Sequence, residues 1–184
     1  MIDLSDAGLD ETPAEDAIEA YDSFEQNALA KARYFHAVSG GMDVVADDSG
    51  LVVDSLGGEP GVRSKRWSSR LDPSGEALDL ANNAKLLARL HGVADRRARF
   101  VCAAAWCGNA GELVALGEVA GRIVEGSSGA HGFGYDPYFY STELGMTLAD
   151  ATTAEKRRVS HRGRAFDGLV TVLRGRGVLG HEVR

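Results

Sequence analysis

The sequence is poor in cysteine and has no long apolar run. Its only two cysteines, Cys102 and Cys107, lie in one predicted strand, where their odd separation puts them on opposite faces and disfavours a disulfide between them. Free thiols in a reducing cytoplasm fit this pattern better. No apolar stretch approaches the roughly 20 residues of a membrane span, and the N-terminus lacks the basic start and apolar stretch of a signal peptide. The sequence therefore predicts a cytoplasmic protein without a membrane partner.

Positive charge is also scarce, because 20 Lys and Arg residues stand against 27 Asp and Glu residues, for a net charge of −7. This balance argues against a nucleic-acid partner, which would need a broad basic surface. The 184 residues are 44% hydrophobic, enough for a substantial core, and no repeat or low-complexity linker divides them. We expect a single domain over residues 1–184.

Residues 47–50 carry the most informative pattern, two adjacent carboxylates followed by a hydroxyl and a glycine. Short apolar runs, residues 44–46 and 51–53, flank them on both sides. Carboxylates at the end of a buried strand need cationic partners, and their oxygens suit a divalent ion held against phosphate. Asp and Gly also form turns, so a plain strand–turn–strand hairpin is the alternative. Both interpretations place a turn here, with a strand on each side.

Helix and strand signals alternate over the rest of the chain. A helix begins at Ser23, with Gln26 at the spacing of a capping box, and stops at the Ser-Gly-Gly sequence of residues 39–41. This interleaving predicts an α/β or α+β fold with a mixed sheet. The other predicted elements are a helix from Asp72 and Pro73 to Gly92, a hairpin of residues 99–107 and 113–125, a helical region over residues 153–174 and a flexible tail over residues 175–184.

Three further clusters bear reactive or ligand-binding side chains. Residues 132–137, Gly-Phe-Gly-Tyr-Asp-Pro, let a flat ligand approach closely, although a glycine-rich turn over core aromatics would have the same composition. Residues 155–164 hold several cations and a histidine near a helix start, which suits an anion, but so does a solvated helix face. Asn27 and Lys31 share one helix face that could meet the acidic segment or lie half-exposed.

These clusters occur in the order of a known family. The matching residues are Phe24, Asn27, Ala28 and residues 31–33; residues 46–51; residues 57–62 with Ser64; residues 132–137; and Glu155, Lys156 and residues 160–163. Together they resemble the inosine triphosphate pyrophosphatase family, also called non-canonical purine NTP pyrophosphatases or XTP/dITP diphosphatases. Chance explains so many ordered blocks poorly.

The resemblance implies a two-lobed α/β fold with a long mixed twisted sheet, flanking helices and a central cleft, in a homodimer. It implies hydrolysis of dITP, ITP and XTP to the monophosphate and pyrophosphate with Mg²⁺. Asp48 would be the metal ligand and general base, with Asp47 beside it and Lys31 as a further catalytic residue. The implied substrate-binding residues are Ser49, Phe133, Gly134, Tyr135, Asp136, Lys156, His161 and Arg162.

Two departures from the family pattern bear on activity. Family members begin with a strand and a Thr/Ser-x-Asn-x-x-Lys loop that grips the triphosphate, whereas this sequence starts near the family's second strand. Members also carry Glu immediately before the Asn, where it helps bind metal; here that position is Gln26, with Glu25 one place earlier. Both departures favour a second hypothesis, a catalytically impaired nucleotide-binding homologue or a subunit that needs a partner.

Overall fold

The computed structural model describes residues 18–68 and 75–179 and has a mixed α/β fold, which confirms the predicted class. Short 3₁₀ helices occupy Asp54–Leu56 and Gly61–Arg66. The helices and strands are α1 (Phe24–Val38), β1 (Val44–Val53), α2 (Glu76–Arg89), β2 (Arg97–Gly108), β3 (Gly111–Ile123), β4 (Phe139–Ser141), β5 (Met146–Thr147), α3 (Thr153–Arg158) and α4 (His161–Gly175).

One sheet contains these strands in the order β1-β2-β3-β4-β5, so each strand lies beside its neighbour in the chain. Only Asn109 and Ala110 separate β2 from β3, which together form the predicted long hairpin. β3 pairs antiparallel with β4, with Gly121 opposite Ser141. β4 pairs antiparallel with the short β5. The sheet is therefore built from local connections.

Packing divides the described residues into two compact units. Unit 1 comprises residues 18–48, 103–116 and 165–179, and unit 2 comprises residues 49–68, 75–102 and 117–164. β1, β2 and β3 contribute residues to both units. The single domain over residues 1–184, the cleft and the flexible tail stay predictions. The last five residues of that tail, 180–184, lie outside the described part of the chain.

The first helix forms as its sequence pattern predicts. Ser23 is the N-cap, and its hydroxyl accepts a hydrogen bond from the backbone N–H of Gln26. The chain leaves the helix through Ser39 and two glycines with positive φ, Gly40 and Gly41. The buried face of α1 carries Phe24, Asn27, Ala28, Ala32 and Phe35.

The acidic segment contains no turn, so the prediction of two strands around residues 47–50 is wrong. β1 continues through Asp47 and Asp48 without interruption, and Gly50 does not adopt positive φ. β-branched residues at both ends of the segment favour extended backbone. The buried carboxylate of Asp48 meets nitrogen donors from α1, so it does not need a turn to reach water.

Two other helix boundaries differ from the prediction. The second helix begins at Glu76 rather than near residues 72–73, and those two residues lie outside the described part of the chain. The helical region predicted over residues 153–174 is two helices, because Val159 ends α3. The Ser160 hydroxyl then accepts from the N–H of Gly163 at 3.0 Å, which caps the start of α4.

Both cysteines are buried free thiols, as predicted. Burial raises the pKa of the Cys107 thiol, which keeps it protonated and unreactive. No helix in residues 18–68 and 75–179 is both long and apolar enough to cross a bilayer.

The apolar core of unit 2 gathers around β1, α2 and the β2–β3 hairpin. Leu86 and Leu90, at the end of α2, are fully buried there. Each leucine packs inside a close-packed cluster, where removed methyl groups leave a cavity. The core residues are Leu51, Val53, Trp67, Leu86, Leu90, Ala98, Val119, Ile123, Tyr135, Phe139, Leu148 and Val159.

We predict that Leu86→Ala lowers the free energy of unfolding by about 2–5 kcal/mol, since it empties part of this core. Urea unfolding measures the change. Leu80→Ala is the matched control on the same helix, because Leu80 is 64% exposed, and it should change stability by no more than about 0.5 kcal/mol. Equal losses in the two variants would contradict this assignment of the core.

Candidate functional site

A buried amide orients the carboxylate of Asp48. Asn27, which is only 1% exposed, donates from Nδ2 to Asp48 Oδ2 at 3.0 Å. The same amide accepts from the backbone N–H of Tyr21 at 3.0 Å and donates to the Tyr21 carbonyl at 3.2 Å. Because its oxygen is engaged with an N–H, the amide must present its nitrogen to Asp48.

Lys31 joins Asp48 to a second carboxylate. Its Nζ lies 3.6 Å from Asp48 Oδ1 and 2.9 Å from Glu19 Oε1. Asn27 and Lys31, one turn apart on α1, therefore both face Asp48, as the helix spacing allowed. Glu19 belongs to none of the sequence motifs, so this contact was not predicted. A run of acids gives no signal for which one returns to a lysine.

The carboxylate oxygens of Asp48 suit a hard divalent ion that arrives with its substrate. Among the described residues, no group of three or more His, Cys, Asp or Glu side chains is arranged to enclose a metal. Mg²⁺ does not need one, because it keeps several waters and binds one or two carboxylates together with substrate phosphates. Asp48 and Glu19, which share the Lys31 ammonium, offer two such carboxylates. Asp47, the preceding residue of β1, is half-buried.

Unit 2 contains a cavity of about 620 Å³, large enough for a nucleotide's base and sugar. All eight residues predicted to bind substrate line it, which brings together three segments that are far apart in the sequence. They are Ser49, Phe133, Gly134, Tyr135, Asp136, Lys156, His161 and Arg162.

The glycine-rich wall of the cavity is built around an ion pair. Lys156 Nζ donates to Asp136 Oδ2 at 2.8 Å, and both side chains are mostly buried. Gly132 has φ +90°, and a Cβ there would collide with both charged groups. Only glycine therefore lets the backbone pass this close to the pair. Phe133, next along the chain, is 83% exposed at the cavity edge.

Helix α2 holds both backbone polar groups of Gly134 in this wall. The carboxylate of Asp79 accepts from the N–H of Gly134 at 2.7 Å, and the amide of Asn83 donates to the carbonyl of Gly134 at 2.8 Å. Asp79 and Asn83 are four residues apart and share one helix face. They pin a glycine whose φ of +60° is left-handed, so the loop has one defined conformation.

The lining around Ser64 is fixed by buried polar groups as well. The Ser64 hydroxyl accepts from Leu51 N–H at 2.8 Å and donates to the Gly61 carbonyl. The Ser64 carbonyl accepts from the Tyr135 hydroxyl at 2.9 Å and from the Asn82 amide at 3.3 Å. The 3₁₀ helix Gly61–Arg66 is thus tied to a strand, a helix and the glycine-rich loop.

The basic segment 155–164 is split by the start of α4. Glu155 closes a capping box with Thr152 at the start of α3, so it has a structural role. Arg157 and Arg158 lie in the last turn of α3, where cations are favourable. Lys156, His161 and Arg162 line the cavity. The segment thus contains some residues that line the cavity and others at the ends of α3, and anion binding by the former stays a prediction.

Sequence reasoning missed the polar face of α2 and one aromatic ring of the cavity. Asp79, Asn82 and Asn83 look like ordinary surface residues in a helix, although their spacing places them on one face. Phe100 looks like a core residue of β2, yet it lines the cavity and its ring stacks on His161. For α2, the adjacent asparagines Asn82 and Asn83 are the one sequence signal that could have suggested a polar face toward the cavity.

The family of this chain follows from comparison with known protein families. A family model described as the Ham1 family matches residues 2–172. The chain belongs to the Ham1 family. The resemblance inferred from the ordered motifs is thereby confirmed, because curated relatives of this Ham1 chain carry the name dITP/XTP pyrophosphatase.

Three relatives illustrate the similarity. The dITP/XTP pyrophosphatase of Frankia alni is 50% identical over 163 residues, which cover 87% of this chain and 80% of that protein. The dITP/XTP pyrophosphatase of Burkholderia pseudomallei is 45% identical over 178 residues, 92% of this chain and 84% of that one. The solved structure of the Staphylococcus aureus Ham1 protein matches with a TM-score of 0.79 at 39% identity, over 86% of this chain and 80% of that chain.

The buried Tyr135 hydroxyl should make the free energy of unfolding depend on pH. Burial, with a smaller contribution from the charge of Asp79, raises its pKa above the usual value of 10.0. In the unfolded chain the hydroxyl ionises near the usual value, so above about pH 10 the folded protein retains a proton that the unfolded protein has lost. This contribution to stability therefore decreases as the pH rises.

Tyr135→Phe removes both the titration and the hydrogen bond to Ser64. At about pH 8 we expect the variant to be about 1 kcal/mol less stable than wild type, the usual value of one hydrogen bond. At about pH 11 the difference should shrink, because only the wild type loses stability through Tyr135. Urea unfolding at both pH values measures this. A difference that stays constant or grows with pH would refute it.

Proposed function

We propose that this protein hydrolyses non-canonical purine nucleoside triphosphates, dITP, ITP and XTP, to the monophosphate and pyrophosphate with the help of Mg²⁺. The cavity of unit 2 carries the proposal, because the eight substrate residues expected from three separate motifs line it together. Curated relatives named dITP/XTP pyrophosphatase, at 45–50% identity, support the same reaction.

The cavity offers the groups that a 6-oxopurine base requires. Asp136, held in place by Lys156, is the acceptor for a ring N–H of the base. Donors from His161 and Arg162 meet the 6-oxo oxygen. Phe133 and Tyr135 present aromatic surface to the flat ring, and bases stack on such faces. Adenine carries an amino group instead of the oxo group, so its donor would face donors and leave them unpaired.

Asp48 is the proposed general base. It accepts the proton of a water whose oxygen forms a bond to the α-phosphorus, while the bond from that phosphorus to the bridging oxygen breaks and pyrophosphate leaves. Asn27 and Lys31 hold the carboxylate in one orientation for this transfer. Lys31 also offers positive charge to the phosphates, and Asp47 adds negative charge beside Asp48.

The proposed metal site uses Asp48 with Glu19 as the second carboxylate. The sequence analysis identified Gln26 as a departure from the family's metal-binding Glu, with Glu25 one place earlier. Gln26 is exposed on α1, whereas Glu19 already shares Lys31 with Asp48. When bound, Mg²⁺ neutralises phosphate charge and polarises the water that attacks. The homodimer and the cytoplasmic location expected from the sequence are part of the same proposal.

Base selection gives the first functional prediction. Purified protein with Mg²⁺ should release pyrophosphate from dITP with a kcat/KM at least about 100-fold above that for dATP, because adenine leaves the donors of His161 and Arg162 unpaired. A coupled pyrophosphate assay measures both substrates. Equal values for dITP and dATP would remove the assignment of His161 and Arg162 to the 6-oxo group.

The second functional prediction concerns Asp48 as the general base. Asp48→Asn keeps the shape of the side chain but cannot accept the proton, so kcat for dITP should fall at least about 100-fold while nucleotide binding persists. Asp95→Asn is the matched control, because Asp95 is exposed and pairs with Arg97. If wild-type protein binds dITP tightly and never turns it over, the catalytically impaired homologue is the better description.

A further inference from the structure

Phe100 links the imidazole of His161 to the core of unit 2. Its ring lies 5.1 Å from the His161 ring, with only 15° between the two planes, which is a stacked arrangement. The same ring lies 4.7 Å from Phe139, which is fully buried. Three rings from β2, β4 and the start of α4 are therefore in contact, and the middle one also lines the cavity.

His161 is the first residue of α4, so its side chain begins where the helix itself begins. A hydrogen bond from an imidazole N–H weakens steeply when the donor turns away from its acceptor. The parallel stack restricts this motion of the His161 ring. If the imidazole tilted relative to the Phe100 ring, the two faces would lose contact. Phe100 cannot itself tilt freely, since Phe139 is held in the core.

We propose that Phe100 is a positioning residue for base selection: it fixes the plane of the His161 imidazole so that an N–H points at the 6-oxo group of the purine. The inference rests on the proposed function, and it adds a residue outside every motif that identified the family. Phe100 acts through His161, so it affects the discrimination between 6-oxopurines and adenine rather than the transfer of the proton to Asp48.

The first experiment measures selectivity in Phe100→Leu, which keeps apolar volume and removes the ring. We expect kcat/KM for dITP to fall about three- to tenfold, the range expected from loss of one aromatic contact, with kcat/KM for dATP unchanged. Phe100→Tyr keeps the ring and should retain the wild-type ratio. Phe35→Leu is the control, because it removes a buried aromatic ring that does not line the cavity.

A second set of variants tests whether the effect passes through His161. In a His161→Ala background, Phe100→Leu should cause no further loss of dITP selectivity, because the group it positions is gone. A further loss of similar size would overturn the proposal and make Phe100 a direct base contact.

The stack also has a spectroscopic signature that needs no Phe100 variant. In wild-type protein the imidazole C–H signals of His161, assigned with His161→Gln, should be shifted upfield by the ring current of Phe100. Normal chemical shifts would overturn the proposal even if Phe100→Leu did not fold. An unchanged dITP to dATP ratio in folded Phe100→Leu would do the same. Failure of wild-type protein to hydrolyse dITP would instead refute the proposed function, and the ring-current result distinguishes these cases.

Discussion

The hydrogen bond from Asn27 to Asp48 is the interaction on which the acidic strand depends. A carboxylate 8% exposed in the middle of a strand is costly unless donors reach it. Asn27 provides one from the buried face of α1, and its amide is itself held by both backbone groups of Tyr21. The segment before α1, the helix and β1 are thus joined at one side chain. With these donors present, β1 can pass through two acids without a turn.

The cavity of unit 2 depends on a different set of polar contacts, and most of them come from one helix. Asp79 and Asn83 hold Gly134, while Asn82 holds the backbone of the 3₁₀ helix that carries Ser64. Because α2 carries three buried or half-buried polar side chains, it buries less apolar area than it otherwise would. Their hydrogen bonds fix the geometry of the neighbouring loops. A rigid loop around Gly134 suits the proposed base recognition, since recognition by hydrogen bonds tolerates little displacement.

Local signals predicted much of the fold because local chemistry determines it. Ser23 caps α1 through contacts within one turn, and the β2–β3 hairpin follows from two strand-forming runs around a two-residue connection. The same reasoning failed at β1, since Asp and Gly have turn propensity that burial against α1 overrides. It also joined α3 to α4, because the cap formed by Ser160 resembles an ordinary polar residue in a helical stretch.

The sequence by itself determined which side chains are candidates for the chemistry and in what order they occur, since motif residues are recognised by type and spacing. Tertiary structure alone decided which residues contact each other across the chain. Glu19 pairs with Lys31, Asn83 donates to Gly134, and Phe100 stacks on His161. Each of these contacts joins residues far apart in the chain, where no local rule applies and only the packing of whole elements sets distance and direction.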